Sequence, residues 1–251
     1  MALLTTSVLM VVNNRSRRND AIVVSVEEES FSMESTEETA ETVTVTVPET
    51  ETETETSAET ETDIEKEDIY RVILDAGHGG KDGGTYSGNV IEKNINLDIV
   101  LMMKPLLEEK GIEVVMTRDT DKFLKLSERA YLANRSGSDM FVSIHCNYYQ
   151  EGSTISGIEC YFYESSKKSK KVAETVIAQL KTNSQLIVRS AKESEYYVLK
   201  NTNMPAVLVE VGYLSSKTDR MNLGSSQYKE NLAKELVNGI WNYLEQVNEQ
   251  S

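Results

Sequence analysis

The sequence predicts one α/β domain, in which a mixed, mostly parallel β-sheet is flanked by helices and preceded by a disordered acidic segment. From Tyr70 onward, short apolar runs of strand length alternate with longer stretches whose apolar residues recur at helical spacing. That alternation is typical of α/β domains. The first quarter of the 251 residues, in contrast, lacks the apolar content that a core needs. We therefore expect a single folded domain formed by residues 70–251.

The segment before this domain has two parts. Residues 27–69 consist mainly of Glu, Thr, Ser and Val, and their repeated like charges predict a disordered acidic linker. This linker either holds the domain away from an anchoring surface or is a solvated tail without that role. Residues 1–26 include an apolar stretch with the length of a signal-peptide core. We interpret them as a signal or anchor remnant, with an upstream start as the alternative.

The negative charge of the chain is concentrated in this N-terminal part. Residues 1–69 hold 18 acidic and 4 basic groups, whereas residues 70–251 hold 23 acidic and 22 basic groups. Binding to a phosphate backbone requires a basic excess, which the predicted domain lacks. We therefore expect no nucleic-acid partner.

Six short apolar runs are predicted as strands because they have strand length and are rich in β-branched or aromatic residues. They are residues 70–75, 112–117, 140–145, 157–163, 196–199 and 206–211. Four longer stretches are predicted as helices, residues 94–110, 126–136, 167–183 and 227–247. In the first of these, apolar residues recur from Ile95 to Leu107, and Gly111 follows as a typical helix stop.

The two cysteines, Cys146 and Cys160, are too few for a disulfide framework. Each lies in a strand-like run, which favours a small buried thiol. A single bridge between them is the alternative if their strands are neighbours.

The two histidines of the chain both lie at the ends of strand-like runs. His78 is in a glycine-rich loop after the first predicted strand, and His145 closes the third. A glycine-rich loop can also cradle phosphate, but this spacing fits neither a dinucleotide fingerprint nor a P-loop. Imidazoles and carboxylates are suitable ligands for catalytic zinc and leave a position open for water. The pattern therefore predicts a zinc site if the two histidines converge.

Two glutamates are candidates to join the histidines. Glu92 lies just before the first predicted helix, where it is either a metal ligand or an acid favoured by the helix dipole. Glu210 interrupts the apolar run of the last predicted strand. A buried carboxylate is costly unless it is paired or faces a cleft, so Glu210 is either a catalytic base or the partner of an arginine such as Arg189.

Five motifs, in this order, resemble those of the zinc-dependent N-acetylmuramoyl-L-alanine amidases. They are Leu74-Asp-Ala-Gly-His78-Gly-Gly-Lys-Asp, Ile91-Glu92-Lys-Asn, Thr117-Arg-Asp-Thr-Asp, Ser143-Ile-His145-Cys-Asn147 and Met204-Pro-Ala-Val-Leu-Val-Glu210-Val-Gly-Tyr-Leu. The resemblance implies that His78, Glu92 and His145 bind zinc and that Glu210 is the catalytic acid/base. It also implies a peptidoglycan substrate, cut between N-acetylmuramic acid and L-alanine, and a secreted or envelope-associated enzyme.

Other features of the site follow from the same comparison. Some members of this family carry an inserted helix that occludes the site, but only residues 148–156 separate the third and fourth predicted strands here. We therefore expect an accessible site without an autoinhibitory helix. We also expect the protein to be a monomer. Asn147, Arg189 and Asn201 are candidate substrate contacts at the same rim, or else ordinary polar residues of loops.

Two rival functions use the same residues. A zinc peptidase would cut a peptide bond within the peptidoglycan stem peptide instead, because metal ligands do not specify what fills the cleft. A non-catalytic wall-binding module would retain the fold without the reaction.

Overall fold

The computed structural model describes residues 69–151 and 153–248, and its centre is one six-stranded sheet. The strands in chain order are β1 (Arg71–Ala76), β2 (Tyr86–Ser87), β3 (Val90–Ile91), β4 (Glu113–Met116), β5 (Met140–Asn147), β6 (Ile158–Phe162), β7 (Val188–Glu193) and β8 (Ala206–Tyr213). The helices are α1 (Glu92–Glu108), α2 (Leu126–Arg135), α3 (Lys167–Leu180), α4 (Tyr197–Lys200), α5 (Lys217–Leu223) and α6 (Ser226–Asn248). The predictions for residues 1–26 and 27–69 concern residues outside the described part of the chain, which begins at Ile69.

The predicted fold class is confirmed by the sheet, whose strand order is β4-β1-β5-β8-β6-β7. Strands β4, β1, β5 and β8 are parallel to one another, β6 is antiparallel to β8, and β7 is parallel to β6. The short hairpin of β2 and β3 lies outside the sheet and leads directly into α1. The carboxyl ends of β1, β5 and β8 therefore meet at one edge, which is where parallel sheets place their functional loops.

Alternate residues of each strand face two different layers of helices. On one face, α1, α3 and α6 supply Ile99, Val176 and Leu236 to the larger apolar core. On the other face, the shorter α2 and α4 cover a small core that contains Ile73 and Phe141. Because α2 and α4 have only 10 and 4 residues, the second core is much smaller. His145 and Glu210 lie on this side of the sheet, since they alternate in step with Phe141 and Leu208 of the smaller core.

One strand prediction was wrong. Residues 196–199 were expected to form a strand, but Tyr197–Lys200 is the helix α4. Its Val198 and Leu199 are buried in the smaller core, and a run of four apolar residues has too few positions to separate the two periodicities. The predictions also lacked the edge strand β7, because its sequence Val-Arg-Ser-Ala-Lys-Glu is polar and mostly exposed or half-buried.

The two cysteines are free and buried, as the simpler interpretation predicted. They cannot form the alternative bridge in this fold because β8 lies between β5 and β6, the strands that carry Cys146 and Cys160. Burial raises the pKa of both thiols above the ordinary value, which keeps them protonated. Among the described helices, none combines the length and apolar content required to cross a bilayer.

Candidate metal centre

The polar residues of the site lie in one row across neighbouring strands. His145 of β5 is the register partner of Glu210 of β8, and Glu210 is in turn the register partner of Glu159 of β6. At the other end of the row, Ala76 of β1 pairs with Ile144 of β5, so the loop that follows β1 begins beside His145. This register brings the glycine-rich loop after β1 to the same region of the sheet as His145, Glu210 and Glu159.

The loop that carries His78 has an unusual backbone conformation. His78 has a φ of 61°, in the left-handed region that residues with a side chain rarely adopt. Gly77 before it cannot carry a side chain, since a Cβ atom there would lie 2.3 Å from the Cε1 and Nε2 atoms of His145. The strained conformation turns His78 back toward the sheet, and the missing Cβ lets the two imidazoles approach.

Two buried arginines hold this loop through its carbonyl groups. Arg118 donates hydrogen bonds to the carbonyl oxygens of Ala76 at 2.8 Å and of Gly77 at 2.9 Å. Arg129 donates to the carbonyl oxygens of Ala76 at 2.8 Å and of His78 at 2.6 Å. These charge-assisted bonds offset the cost of the strained backbone, because they satisfy carbonyl groups that the turn would otherwise leave unpaired.

Asp75 fixes one of these arginines from inside the sheet. Its carboxylate is 2.6 Å from Arg129 Nη1, and it accepts hydrogen bonds from the hydroxyls of Thr117 at 2.6 Å and Ser143 at 2.7 Å. Burial alone would raise the pKa of Asp75, but the guanidinium charge and the two hydroxyls outweigh it and lower the pKa. The ionised carboxylate therefore ties β1, β5 and α2 together beneath the site.

His78, Glu92 and His145 converge into one cluster. Their potential ligand atoms lie within 4.8 Å of one another. Glu92 Oε1 is 3.2 Å from His78 Nε2 and 3.0 Å from His145 Nδ1, and the two imidazole rings meet edge to face with centroids 4.9 Å apart. The side chains of His78 and His145 retain 26% and 17% of their exposure, so solvent and a ligand can reach the cluster.

Glu92 is oriented by backbone and side-chain donors around it. It is the first residue of α1 and only 3% exposed. Its Oε2 accepts a hydrogen bond from the backbone N–H of Thr85 at 2.8 Å, and its Oε1 accepts from the N–H of Cys146 at 3.0 Å and from Asn96 Nδ2 at 3.3 Å. Although burial would raise the pKa of Glu92, hydrogen bonds and charge from the two histidines lower it strongly. The carboxylate is therefore ionised and held in place, as a metal ligand requires.

His78 is oriented by Asp82, four residues further along the loop. Asp82 Oδ2 lies 2.8 Å from His78 Nδ1, which leaves Nε2 directed at Glu92. Burial lowers the pKa of His78, but its bonds with Glu92 and Asp82 raise it to about 9. In the protein without a metal, His78 therefore holds its proton more tightly than a free imidazole does. An imidazole that is hydrogen-bonded to a carboxylate through its second nitrogen is typical of zinc ligands.

The donor set fits a zinc ion. Two imidazoles and one carboxylate, all accessible from one side, are a known set for catalytic zinc, and the fourth position is left for water or substrate. Hard cations such as calcium would instead require more oxygen ligands than the cluster offers.

Glu210 is the buried acid beside this cluster. It is 8% exposed, and its Oε2 atom is buried with no hydrogen-bond partner among the described residues. Burial is the main reason that its pKa is raised to about 7, and the charges of Glu92 and Glu159 raise it further. The alternative pairing with Arg189 is absent, since Arg189 binds Glu159 instead. A carboxyl group with a pKa near neutrality can both accept and return a proton.

The three candidate substrate contacts are placed differently. Asn147 ends β5 two residues after His145, and its Oδ1 accepts the backbone N–H of Tyr148. Arg189 is on β7, where its guanidinium binds Glu159. Asn201 follows α4 and bonds to Tyr197 and Asn134, and no contact within the described part of the chain joins it to the metal cluster.

Several residues of the site were not identified from the sequence, among them Asp82, Arg118, Arg129 and Glu159. Glu159 had the same signal as Glu210, namely a carboxylate within an apolar strand run, Gly157-Ile-Glu-Cys-Tyr-Phe. Asp82 and Arg118 lie inside two of the motifs that carry the family resemblance, but neither has a sequence signal that indicates its partner. Arg129 has no local signal, because its partners Asp75 and His78 are distant in sequence.

The chain is similar to a known protein family and to solved structures of that family. The family profile described as "Amidase_3: N-acetylmuramoyl-L-alanine amidase" matches residues 72–242, a range that includes the three residues of the cluster and Glu210. Among solved structures, the chain is similar to "N-acetylmuramoyl-L-alanine amidase from Clostridium difficile 630". The two share 36% sequence identity with a TM-score of 0.68, over 70% of this chain and 97% of that one.

Two relatives from Bacillus subtilis (strain 168) are also similar over most of their length. The germination-specific N-acetylmuramoyl-L-alanine amidase is 31% identical over 188 residues, which are 69% of this chain and 79% of that protein. The uncharacterized protein YqiI is 38% identical over 186 residues, 73% of this chain and 87% of that protein.

Proposed function

Because this chain belongs to the N-acetylmuramoyl-L-alanine amidase family, we propose that it hydrolyses peptidoglycan with a zinc ion held by His78, Glu92 and His145. Members of this family are hydrolases that cut the amide between N-acetylmuramic acid and L-alanine, and this chain is such an enzyme. The roles of the individual residues and the identity of the metal are the proposed part. The observation that carries them is the unpartnered, buried carboxylate of Glu210 directly beside two imidazoles and a carboxylate.

A zinc ion bound to these three residues would polarise the scissile carbonyl and make water a better nucleophile at neutral pH. The residues of the chain then have separate tasks. Asp82 accepts the Nδ1–H of His78, which keeps the lone pair of Nε2 directed into the cluster. Asn96 and the backbone N–H groups of Thr85 and Cys146 hold the Glu92 carboxylate in one orientation. Preorganisation of this kind lets the ligands bind without rearranging.

Glu210 moves the proton. Its carboxylate takes a proton from the attacking water and returns it to the amide nitrogen of L-alanine, so that the C–N bond breaks with a neutral amine as the leaving group. In the protein without a metal ion, burial raises the pKa of Glu210 to about 7, and a carboxyl group with a raised pKa can both accept and return a proton. The burial of Glu210 keeps it free of competing donors, which is consistent with its unpartnered Oε2.

The location and assembly of the enzyme are also proposals. An enzyme that acts on peptidoglycan must reach the cell wall, and we propose that it is secreted or associated with the envelope. We further propose that it acts as a monomer, which light scattering of the purified full chain would test. None of the described residues between β5 and β6, 148–151 and 153–157, is helical.

The test combines metal analysis with product analysis on the full-length chain. We expect the purified protein to contain one zinc ion and to release stem peptides that begin with a free L-alanine amine, as identified by mass spectrometry. The variant Glu210→Ala should keep its zinc but lose cleavage by about 100- to 10,000-fold. Retained cleavage in this zinc-loaded variant would contradict the role of Glu210.

The same experiment separates the rival functions. Products that are cut within the stem peptide, with L-alanine still attached to the lactyl group, would indicate a peptidase. Full wall affinity without hydrolysis, in protein lacking zinc, would indicate a binding module.

A further inference from the structure

We propose that Arg189 and Lys192 form an anion subsite beside Glu210, which binds a free carboxylate on the peptide that leaves during hydrolysis. This inference rests on the proposed function, because it uses the direction in which Glu210 delivers its proton. It assigns a substrate-recognition role to β7, the edge strand on which both cations lie. The chemical class of the ligand is a peptide with an ionised carboxylate on the residue after L-alanine.

The subsite is organised by Glu159, a carboxylate with no exposed surface. Its Oε1 accepts hydrogen bonds from Arg189 Nε and Lys192 Nζ, both at 2.6 Å. Its Oε2 accepts from the hydroxyls of Tyr161 at 2.7 Å and Tyr213 at 3.0 Å. A carboxylate has about four acceptor positions, so these four donors saturate it. Glu159 is therefore a positioning residue, with no capacity left for a proton, metal or substrate.

Arg189 and Lys192, in contrast, retain N–H donors that Glu159 does not use. Arg189 has five N–H donors and uses the one on Nε for Glu159, while its terminal nitrogens have no hydrogen-bond partner within the described residues. The side chains of Arg189 and Lys192 are 41% and 40% exposed, whereas Glu159 is fully buried. Two cations around one buried carboxylate leave one positive charge toward solvent. A guanidinium held at Nε presents its remaining fork in a fixed direction, which suits a planar carboxylate.

The order of the strands decides which part of the substrate reaches this subsite. His145, Glu210 and Glu159 follow one another on β5, β8 and β6, and β7 with Arg189 comes next. The carbonyl side of the scissile amide belongs at the metal cluster, and the amine that receives the proton belongs at Glu210. The peptide attached to that amine therefore continues toward β6 and β7, and the sugar lies on the opposite side.

The distances match a carboxylate one residue beyond L-alanine. Neighbouring strands are about 4.8 Å apart, so β7 lies about 10 Å from β8, and the Arg189 side chain reaches back to Glu159 between them. A peptide advances by about 3.5 Å per residue. The residue after L-alanine thus comes within reach of the free guanidinium nitrogens while the L-alanine nitrogen is at Glu210.

The first test compares two synthetic muramoyl dipeptides that differ only after L-alanine, where one has a free carboxylate and the other a primary carboxamide. We expect the wild-type enzyme to prefer the carboxylate by about tenfold in kcat/KM, the lower end for a charge-assisted contact that is part-exposed. Arg189→Gln should reduce this ratio to about one, and Lys192→Gln should reduce it partly. The ratio does not depend on how much of a variant is folded, so a loss of stability cannot imitate the result.

The matched control is Arg135→Gln, which removes an exposed arginine from the end of α2. This variant should retain the full preference. A wild-type ratio near one, or an Arg189→Gln variant that lowers both substrates equally, would overturn the subsite.

A second measurement does not require the reaction. The dipeptides without the muramoyl group, with carboxylate or carboxamide, are titrated by NMR into full-length protein from which metal has been removed. Tighter binding of the carboxylate to wild type, lost in Arg189→Gln, supports the subsite, and equal binding of both peptides or binding of neither overturns it. Failure of the proposed function gives a different result. In that case cleavage would be missing, or would survive metal removal, but the tighter binding of the carboxylate peptide to wild type would remain.

Discussion

Glu159 and Glu210 are direct register partners on the antiparallel strands β6 and β8, yet their environments move their pKa values in opposite directions. Glu159 is saturated with four donors, which outweigh its burial and lower its pKa to about 2. Glu210 is buried with an unpartnered oxygen, and its pKa is raised to about 7. Two adjacent carboxylates thus have opposite pKa shifts, which fits the fixed anion and the proton carrier that we propose.

The substitution Glu210→Gln should stabilise the metal-free protein at alkaline pH. Because the pKa is raised from 4.5 to about 7, the folded state loses stability as the pH rises between these values. At pH 8 the variant should exceed wild type by on the order of 2–3 kcal/mol in unfolding free energy, with little difference at pH 4. Urea unfolding in the presence of a chelator measures this. A variant less stable than wild type at pH 8 would contradict an unpaired buried charge.

The substitution Glu159→Gln should have the opposite pH dependence. The lowered pKa means that Glu159 contributes stability above pH 4.5, which is lost as the pH falls toward 2. We expect the variant to be less stable than wild type by on the order of 3 kcal/mol at pH 7, and the difference to shrink below pH 4.5. Urea unfolding across this range is the measurement. Glu193→Gln, at an exposed position of β7, is the control and should stay within about 0.5 kcal/mol.

Gly84→Ala should disrupt metal binding, whereas Gly88→Ala should not. Both glycines have similar positive φ values, 67° and 60°, so an alanine should cost about 1–2 kcal/mol of backbone strain at either. At Gly84, however, the Cβ would lie 2.5 Å from Glu92 Oε2 and 2.7 Å from His78 Cδ2, while at Gly88 no atom lies within 4 Å. Zinc titration of both variants measures their zinc affinities, and the comparison is fair because the backbone strain of the alanine is similar at the two positions. Equal zinc affinity would show that the loop can move away from the ligands.

Asp82→Ala should weaken zinc binding by about 10- to 100-fold, because it removes the acceptor that orients His78 Nδ1. Competition with a chromogenic chelator gives the affinity. The control is Asp119→Ala, which removes an exposed carboxylate two residues beyond Thr117. If both variants bind zinc like wild type, the hydrogen bond does not determine the orientation of the imidazole.

Some strands and helices could be predicted from the sequence and others could not, for a physical reason. The strands β1, β5 and β8 are buried on both faces, so their sequences are continuous apolar runs that are visible without a structure. The strand β7 lies at the sheet edge and α4 has four residues, so neither has a periodic apolar pattern long enough to recognise. Edge position and short length, rather than unusual chemistry, therefore explain why β7 was missed and why α4 was predicted as a strand.

The sequence by itself determined the fold class, the family and the identity of the residues that can bind a metal, because these depend on residue type and order. Only the tertiary structure decided which side chains meet. It paired Arg189 with Glu159 rather than Glu210, and it placed Asp82 against His78 and Arg129 against Asp75. Strand register and loop conformation set these contacts, and both arise from the packing of segments that are far apart in the chain. The pKa values of Glu159 and Glu210 follow from those contacts, which is why two glutamates with the same signal in the sequence have opposite properties in the fold.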